Sequence, residues 1–260
     1  MATPTIKTDV AIFGGGVAGL WALNRLRDEG YSALLFEEEA LGSAQTIASQ
    51  GIIHSGIKFA LGGLPTTASE SIAAMPALWR DCLEGRGPVD LRACKLLSES
   101  CHLWSTAGAG GRLAGFLASQ LLHGSVLALQ PCDYPAALQH PDFRGRVYRL
   151  PDPVLDIPSL LATLATPHSE LIFKIDWRTA GLHARDGVAS LSTPDVHLQA
   201  QCMLLTAGGG NEALLASLGA PGPAMQRRPL QQVLVKHEYE APLFGHCIGH
   251  KPSPRLTISS

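Results

Sequence analysis

The segment between residues 9 and 37 constrains the fold of this chain more than any other stretch. Residues 10–13 are continuously apolar, which is typical of a short strand in a parallel sheet covered on both faces. Gly14, Gly16 and Gly19 follow with GxGxxG spacing. In such a turn the first glycine permits a tight bend, the second lets the backbone approach a pyrophosphate, and the third lets a helix pack closely on the strand.

An amphipathic helix is expected directly after these glycines. Leu20, Leu23 and Leu26 recur at helical spacing and would form its buried face. The backbone N–H groups of Val17 and Ala18 fall in its first turn, where the positive end of the helix dipole favours phosphate. The turn and the helix together predict a site for the pyrophosphate of a dinucleotide.

An acidic run ends the next expected strand, residues 33–36. Glu37 stands 18 residues beyond Gly19, where a carboxylate accepts hydrogen bonds from a ribose diol and repels the 2′-phosphate of NADP. Glu38 is a second candidate contact, although a solvated turn explains it better. The first 40 residues are therefore compatible with either NAD or FAD.

A second polar loop, residues 42–56, distinguishes the two cofactors. Hydroxyl and amide side chains alternate there with glycines and can donate hydrogen bonds to a diphosphate, and the apolar pair that follows suits a flat ring. Its pattern Q-T-x-x-S-Q-G-I-I-H-S-G resembles the D-amino-acid-oxidase-like superfamily of FAD-dependent oxidoreductases. The H-S-G element looks most like the L-2-hydroxyglutarate dehydrogenase and glycerol-3-phosphate dehydrogenase branches.

This resemblance implies an α/β fold, with a Rossmann-like FAD-binding domain and an inserted mixed-sheet substrate domain. It also implies that Thr46, Ser49 and Gln50 contact the phosphates or the ribitol of FAD, and that Gly51 to Ile53 approach the flavin ring. An NAD-dependent enzyme would normally continue with another βα unit at this point.

The resemblance places His54 at the reactive edge of the flavin. Three roles stay open for this residue: orienting the loop, acting on the substrate, or carrying a covalently attached flavin. Lys58 stands where the glycerol-3-phosphate branch has an arginine, which argues against phosphate-bearing substrates.

A second glycine element follows an apolar run near residue 205. Ala207, Gly208 and Gly209 lie between this expected strand and a further expected helix. The resemblance implies that they close over the FAD pyrophosphate from the other side; a bare turn without a ligand is the alternative.

The resemblance also predicts the domain order. Residues 1–88 and 151–220 would form the FAD-binding domain, and residues 89–150 and 221–260 the substrate domain. Related chains usually continue for about another hundred residues, so we expect this chain to be truncated at its C-terminus and to hold FAD weakly or not at all.

Composition narrows the class of partner. The 260-residue chain has a formal net charge of −2, so no nucleic-acid partner is expected. It has no signal-peptide pattern and no apolar run of about 18 residues, which predicts a cytoplasmic protein without a transmembrane segment and leaves peripheral membrane association open. The six cysteines form no CxxC pair and no zinc-ligand spacing, so we expect reduced thiols and no metal site.

The predicted function is that of an FAD-dependent dehydrogenase or oxidase. It would oxidise a CH–OH or CH–NH bond of a small 2-hydroxy or amino acid by hydride transfer to flavin N5, with oxygen, a quinone or another carrier as acceptor. His54 is the candidate base, and Lys58, Arg227 and Arg228 are candidate anchors for a substrate carboxylate. The alternative is a truncated, non-catalytic flavin- or nucleotide-binding protein.

Overall fold

A computed structural model describes most of the chain. The described residues are 3–56, 72–105, 126–185, 188–220, 222, 224–227, 231–249 and 254–260. They fall into two compact units, of which the first comprises Met1–Ser49 with Ile157–Val233 and the second Gln50–Asp156 with Leu234–Ser260. The chain thus alternates between the two units, and its first crossing lies between residues 49 and 50.

The described residues form thirteen strands and four α-helices. The strands are β1 (Thr5–Phe13), β2 (Ala33–Glu37), β3 (Leu96–Ser98), β4 (Cys101–Ser105), β5 (Leu127–Ala128), β6 (Val147–Leu150), β7 (Val154–Leu155), β8 (Ile172–Lys174), β9 (Gly181–Arg185), β10 (Val188–Ser192), β11 (His197–Leu205), β12 (Gly245–Ile248) and β13 (Pro254–Ile258). The α-helices are α1 (Val17–Asp28), α2 (Met75–Leu83), α3 (Ile157–Ala165) and α4 (Asn211–Ser217).

The first unit is built on a six-stranded sheet in the order β8-β2-β1-β11-β10-β9. β8, β2, β1 and β11 run parallel, and β10 and β9 continue the sheet as an antiparallel meander. β1 lies at its centre, where Ala11, Ile12 and Phe13 are almost completely buried. The strand is longer than the apolar run predicts because Thr5 to Thr8 also pair with β11.

Helix α1 packs against this sheet and against α3. Gly30 lies just beyond its end with a φ of 85°, and its N–H donates to the carbonyl of Arg27, as is usual for a glycine that ends a helix. The buried Asn24 links the two helices, because its Nδ2 donates to the carbonyls of Leu20 and Leu164, both at 2.8 Å.

The second unit contains a five-stranded sheet in the order β13-β12-β4-β6-β5. Its core includes Leu103, Tyr148, Leu150 and Phe244. A separate short ladder pairs β3 with β7, and β7 in turn faces the chain segment just after residue 50 through an antiparallel bridge between Ile52 and Val154. That segment carries the H-S-G element.

Two further expectations concern the surface and the thiols. No helix in the described part of the chain is long and apolar enough to cross a membrane. None of the six cysteines, all within the described residues, forms a disulfide; four are buried, and Cys132 and Cys202 are exposed.

Candidate functional site

The GxGxxG turn in the first unit leaves no space for side chains at two of its glycines. Gly14 has a φ of +117°, and a Cβ atom on it would lie 2.5 Å from the carbonyl carbon of Thr206. A Cβ atom on Gly19 would lie 2.7 Å from Thr206 Oγ1 and would overlap the carbonyl oxygen of Gly14. These two glycines therefore hold α1, the turn and the end of β11 together.

The start of α1 offers backbone N–H groups. Gly16 is its N-cap residue and has no side chain with which to cap it. Thr46 Oγ1 accepts the N–H of Val17 at 3.1 Å, and Ala18 is exposed. Thr46 thereby lies beside the turn, where the sequence places a phosphate contact.

Glu37 lies at the end of β2, and its carboxylate organises the same turn. Oε2 accepts the N–H of Gly15 at 2.6 Å, and Oε1 accepts the N–H of Glu39 at 3.0 Å. Because a carboxylate has about four lone-pair positions, two remain for a ribose diol. Glu38 is exposed.

The second glycine element lies directly beside the first. Thr206 joins them, since its N–H donates to the carbonyl of Phe13 at 2.8 Å and its hydroxyl donates to that of Gly14 at 2.9 Å. The N–H of Ala207 donates to Asn211 Oδ1 at 2.8 Å. Sequence reasoning missed both polar residues, although a threonine at the end of a buried strand and an asparagine at the start of the next helix are ordinary capping signals.

The other predicted cofactor contacts in the first unit are exposed or lie beside a polar side chain. Gly208 has a φ of +54°, and a Cβ atom there would overlap Gln45 Oε1. Gly209 is exposed, with nothing within 4 Å of its Cβ position. Ser49 is exposed, and its N–H donates to the carbonyl of Thr46.

The first predicted site residues of the second unit form hydrogen bonds with other residues of that unit. Gln50 Nε2 donates to the carbonyl of Thr257 in β13 at 3.1 Å. The carbonyl of Gly51 accepts the N–H of Leu155 at 3.0 Å, and the N–H of Ile53 donates to the carbonyl of Pro153 at 2.9 Å. These bonds fix the backbone immediately before His54.

A carboxylate faces the imidazole of His54. Asp152 Oδ2 lies 3.4 Å from His54 Nδ1, and Oδ1 accepts the N–H of Ser55 at 3.0 Å. The His54 side chain is 22% exposed, whereas that of Asp152 is 3% exposed. His54 is thus accessible while its partner is buried.

A second histidine packs beside this pair. The ring of His246 in β12 is completely buried, and its centroid lies 5.2 Å from that of His54. Its Nδ1 lies 2.8 Å from Thr257 Oγ1. Sequence reasoning missed Asp152 and His246, since neither belongs to a local motif.

The residues predicted to bind a substrate carboxylate are Lys58, Arg227 and Arg228. Arg227 is exposed and forms an ion pair with Glu212 at 2.6 Å. Lys58 and Arg228 lie outside the described residues.

Comparison with known proteins identifies the family to which this site belongs. A family model described as "DAO: FAD dependent oxidoreductase" matches residues 9–253. The chain belongs to this family of FAD-dependent oxidoreductases. The match confirms the predicted fold class, the cofactor and the class of enzyme.

One relative is similar along almost the whole chain. The probable FAD-dependent oxidoreductase PA4991 of Pseudomonas aeruginosa is 44% identical over 255 residues, which are 98% of this chain and 65% of that protein. Its crystal structure matches with a TM-score of 0.77 at 37% identity and covers 100% of this chain and 63% of that one. The chain thus spans just under two thirds of the length of this relative.

More distant structures share the fold. Glycine oxidase from Geobacillus kaustophilus matches with a TM-score of 0.63 at 21% identity over 82% of this chain and 58% of its own. L-amino acid deaminase from Proteus vulgaris matches with a TM-score of 0.62 at 12% identity over 86% of this chain and 59% of its own.

The residues of the first unit fit the diphosphate and ribose of FAD. The two glycine turns lie side by side and are joined by Thr206, and Gly16 at the start of α1 has no side chain. Glu37 retains acceptor positions for hydroxyl groups. This combination suits an anionic linker flanked by a sugar.

Proposed function

We propose that this protein oxidises a CH–OH or CH–NH bond of a small 2-hydroxy or amino acid. When FAD is bound, its isoalloxazine supplies the hydride acceptor at N5. The observation that carries the proposal is the pairing of the two glycine turns through Thr206, because it builds a dinucleotide cradle in a chain of this family. Electrons would then pass to oxygen, a quinone or another carrier.

The proposed cofactor contacts are those that the sequence indicates. They are Gly14, Gly16, Val17, Ala18, Gly19, Glu37, Glu38, Thr46, Ser49, Gln50, Gly51, Ile53, Ala207, Gly208 and Gly209. In the first unit Gly16, Gly208 and Gly209 are at least partly exposed, and Thr46 and Glu37 contribute oxygen atoms beside the turn.

His54 is the proposed catalytic base. A 2-hydroxy acid must lose its hydroxyl proton as it is oxidised, and an imidazole is suited to accept a proton near neutral pH. An amino acid that reacts as the free amine needs no such base. The buried carboxylate beside His54 therefore favours the hydroxy acid, in line with the resemblance of the H-S-G element to the L-2-hydroxyglutarate and glycerol-3-phosphate dehydrogenase branches.

Flavin reduction provides the test. The chain is mixed with excess FAD, freed of unbound cofactor, and titrated without oxygen with 2-hydroxy acids and with amino acids. Loss of the visible flavin absorption band with one of these sets supports the proposal. A yellow protein that neither set bleaches would contradict it and favour the binding-only alternative. Because weak FAD binding is expected from the sequence, the cofactor site is tested separately without removal of free FAD, and FAD fluorescence that does not change when the chain is added would contradict that site.

His54→Asn tests the proposed base. With a hydroxy acid we expect the rate of flavin reduction to fall by about 10²–10⁴-fold, because general-base catalysis contributes about that much, while bound FAD is retained. The exposed His140→Asn is the matched control and should reduce flavin at the original rate. An unchanged rate of flavin reduction in His54→Asn would show that His54 is not the catalytic base.

A further inference from the structure

We infer that Asp152 is a positioning residue that holds His54 in the tautomer with its proton on Nδ1, so that Nε2 carries the lone pair. The consequence for catalysis rests on the proposed function, in which His54 accepts the substrate proton. The tautomer itself follows from geometry within the second unit.

Strand register brings the two residues together. The Ile52–Val154 bridge and the flanking hydrogen bonds from Ile53 to Pro153 and from Leu155 to Gly51 define an antiparallel ladder. One further step along this ladder places His54 opposite Asp152. Residues directly opposite each other in such a pair have Cβ atoms about 4.5–5.5 Å apart, so their side chains meet.

In this ladder the backbone of Gly51 packs closely against that of Leu155. Gly51 has a φ of +68°, and a Cβ atom on it would overlap the carbonyl oxygen of Leu155. Only glycine permits both this backbone conformation and this approach. The pairing of His54 with Asp152 is therefore set by the backbone and does not depend on two flexible side chains finding each other.

Hydrogen bonds hold both the Asp152 carboxylate and the backbone immediately before it. Its Oδ1 accepts the N–H of Ser55, and the guanidinium of Arg80 in α2 donates to the carbonyl of the preceding residue, Pro151. Oδ2 is left facing His54 Nδ1. An ionised carboxylate can only accept hydrogen bonds, so Nδ1 must donate and Nε2 becomes the acceptor.

His246 restricts the imidazole further. Its buried ring lies next to that of His54, and Thr257 Oγ1 lies at hydrogen-bond distance from its Nδ1. Rotation of the His54 ring by half a turn would bring carbon atoms toward the Asp152 carboxylate and lose the hydrogen bond. Asp152 therefore favours one ring orientation, and His246 packs beside the ring in that orientation.

The chain contains a natural contrast in His140. There Nδ1 accepts the backbone N–H of Asp142 at 3.2 Å, which requires the proton to be on Nε2. The Asp142 carboxylate lies 3.7 Å away, and both side chains are mostly exposed. The two histidines should therefore show opposite tautomers in one sample.

Chemically, the arrangement prepares His54 to take up a proton. When a substrate O–H bond breaks and an N–H bond forms at Nε2, the ring becomes an imidazolium whose positive charge lies next to Asp152. A carboxylate in this position stabilises the imidazolium without itself being protonated. The long Nδ1–Oδ2 distance should shorten as that charge develops.

Nitrogen NMR of the ¹⁵N-histidine-labelled chain tests the tautomer without reference to activity. In the neutral state, long-range proton–nitrogen correlations should show His54 protonated at Nδ1 and His140 at Nε2. In Asp152→Asn, the carboxamide can donate to Nδ1, so the His54 proton should move to Nε2, whereas Asp142→Asn should leave His54 unchanged. A His54 proton on Nε2 in the unaltered chain would overturn the inference, and this measurement needs no variant to fold.

Flavin reduction then tests the catalytic consequence. Asp152→Asn should slow reduction by a hydroxy acid at least about tenfold with FAD still bound, since outer partners of a working histidine contribute about 10–100-fold. In a His54→Asn background the same change should add no further loss, because Asp152 acts through His54. Additive losses would overturn the positioning role. If no substrate reduces FAD although His54 has the expected tautomer, the proposed function fails and the tautomer assignment stands.

Discussion

Gly19→Ala is the substitution whose effect follows most directly from the structure. Gly19 is buried in the first turn of α1, so alanine meets no dihedral penalty there and by helix propensity alone would stabilise the helix by about 1 kcal/mol. Packing opposes this gain. The new methyl group would lie 2.7 Å from Thr206 Oγ1, where an ordinary contact is about 3.5 Å, and it would overlap the backbone oxygen of Gly14.

The closer contact is with the backbone oxygen of Gly14, and the Thr206 hydroxyl is itself fixed by its hydrogen bonds, so the helix must move away from the turn by roughly 1 Å. Overpacking of this kind costs about 1–3 kcal/mol. The hydrogen bond from Thr206 to the Gly14 carbonyl would also weaken, at a cost of about 1 kcal/mol. The costs exceed the helix gain, and we expect a net loss of about 2 kcal/mol of unfolding free energy.

Urea unfolding followed by circular dichroism measures this loss. With a slope of about 2–3 kcal/mol per molar urea, the midpoint should fall by roughly 0.7–1 M. Gly209→Ala is the matched control, because nothing lies within 4 Å of its Cβ position, and its stability should change by no more than about 0.5 kcal/mol. A Gly19→Ala midpoint at or above that of the unaltered chain would refute the packing argument, as would an equal loss in both variants.

Two further predictions concern polar groups in the first unit. Asn24→Ala removes the amide that donates to the carbonyls of Leu20 and Leu164. We expect the unfolding free energy, measured by the same urea titration, to fall by about 1–3 kcal/mol. An unchanged midpoint would show that this hydrogen-bonded link between the two helices contributes nothing to stability. The hydrogen bonds from Arg178 lower the pKa of Asp176 to about 2, so their stabilising contribution is present above the ordinary aspartate pKa and is lost as the pH falls from about 4 towards 2. A carboxyl NMR titration of Arg178→Gln should show the pKa of Asp176 returning towards its ordinary value, and a pKa that stays near 2 would contradict this cause.

The sequence predicts the strand, glycine turn and helix at residues 10–37 well because the constraints there are local. A continuous apolar run, three glycines and an acid follow one another within 30 residues, and each has its own reason in the structure: Gly14 adopts a left-handed conformation, Gly19 lies against backbone, and Glu37 ends β2. The meander after residue 179 is equally local, since short antiparallel strands are separated by turn residues.

The partners of His54 could not be read from the sequence. Asp152 is 98 residues away and meets His54 only because the backbone pairs in one particular register. His246 lies in β12, whose four residues include a glycine with a φ of 157° and show no alternating pattern. The division between the two units after residue 49 is equally non-local, because it depends on which strands residues 51–53 join.

The central position of β1 has a consequence for synthesis on the ribosome. One of its two neighbours, β11, ends at Leu205, roughly 190 residues after β1 has been made. At about 5–20 residues per second, the apolar segment Ala11–Phe13 waits on the order of 10–40 s for that neighbour. Residues 50–156, which form most of the second unit, are synthesised during this delay. We therefore expect nascent chains to expose the unpaired edge of β1 and to depend on chaperones until β11 is complete.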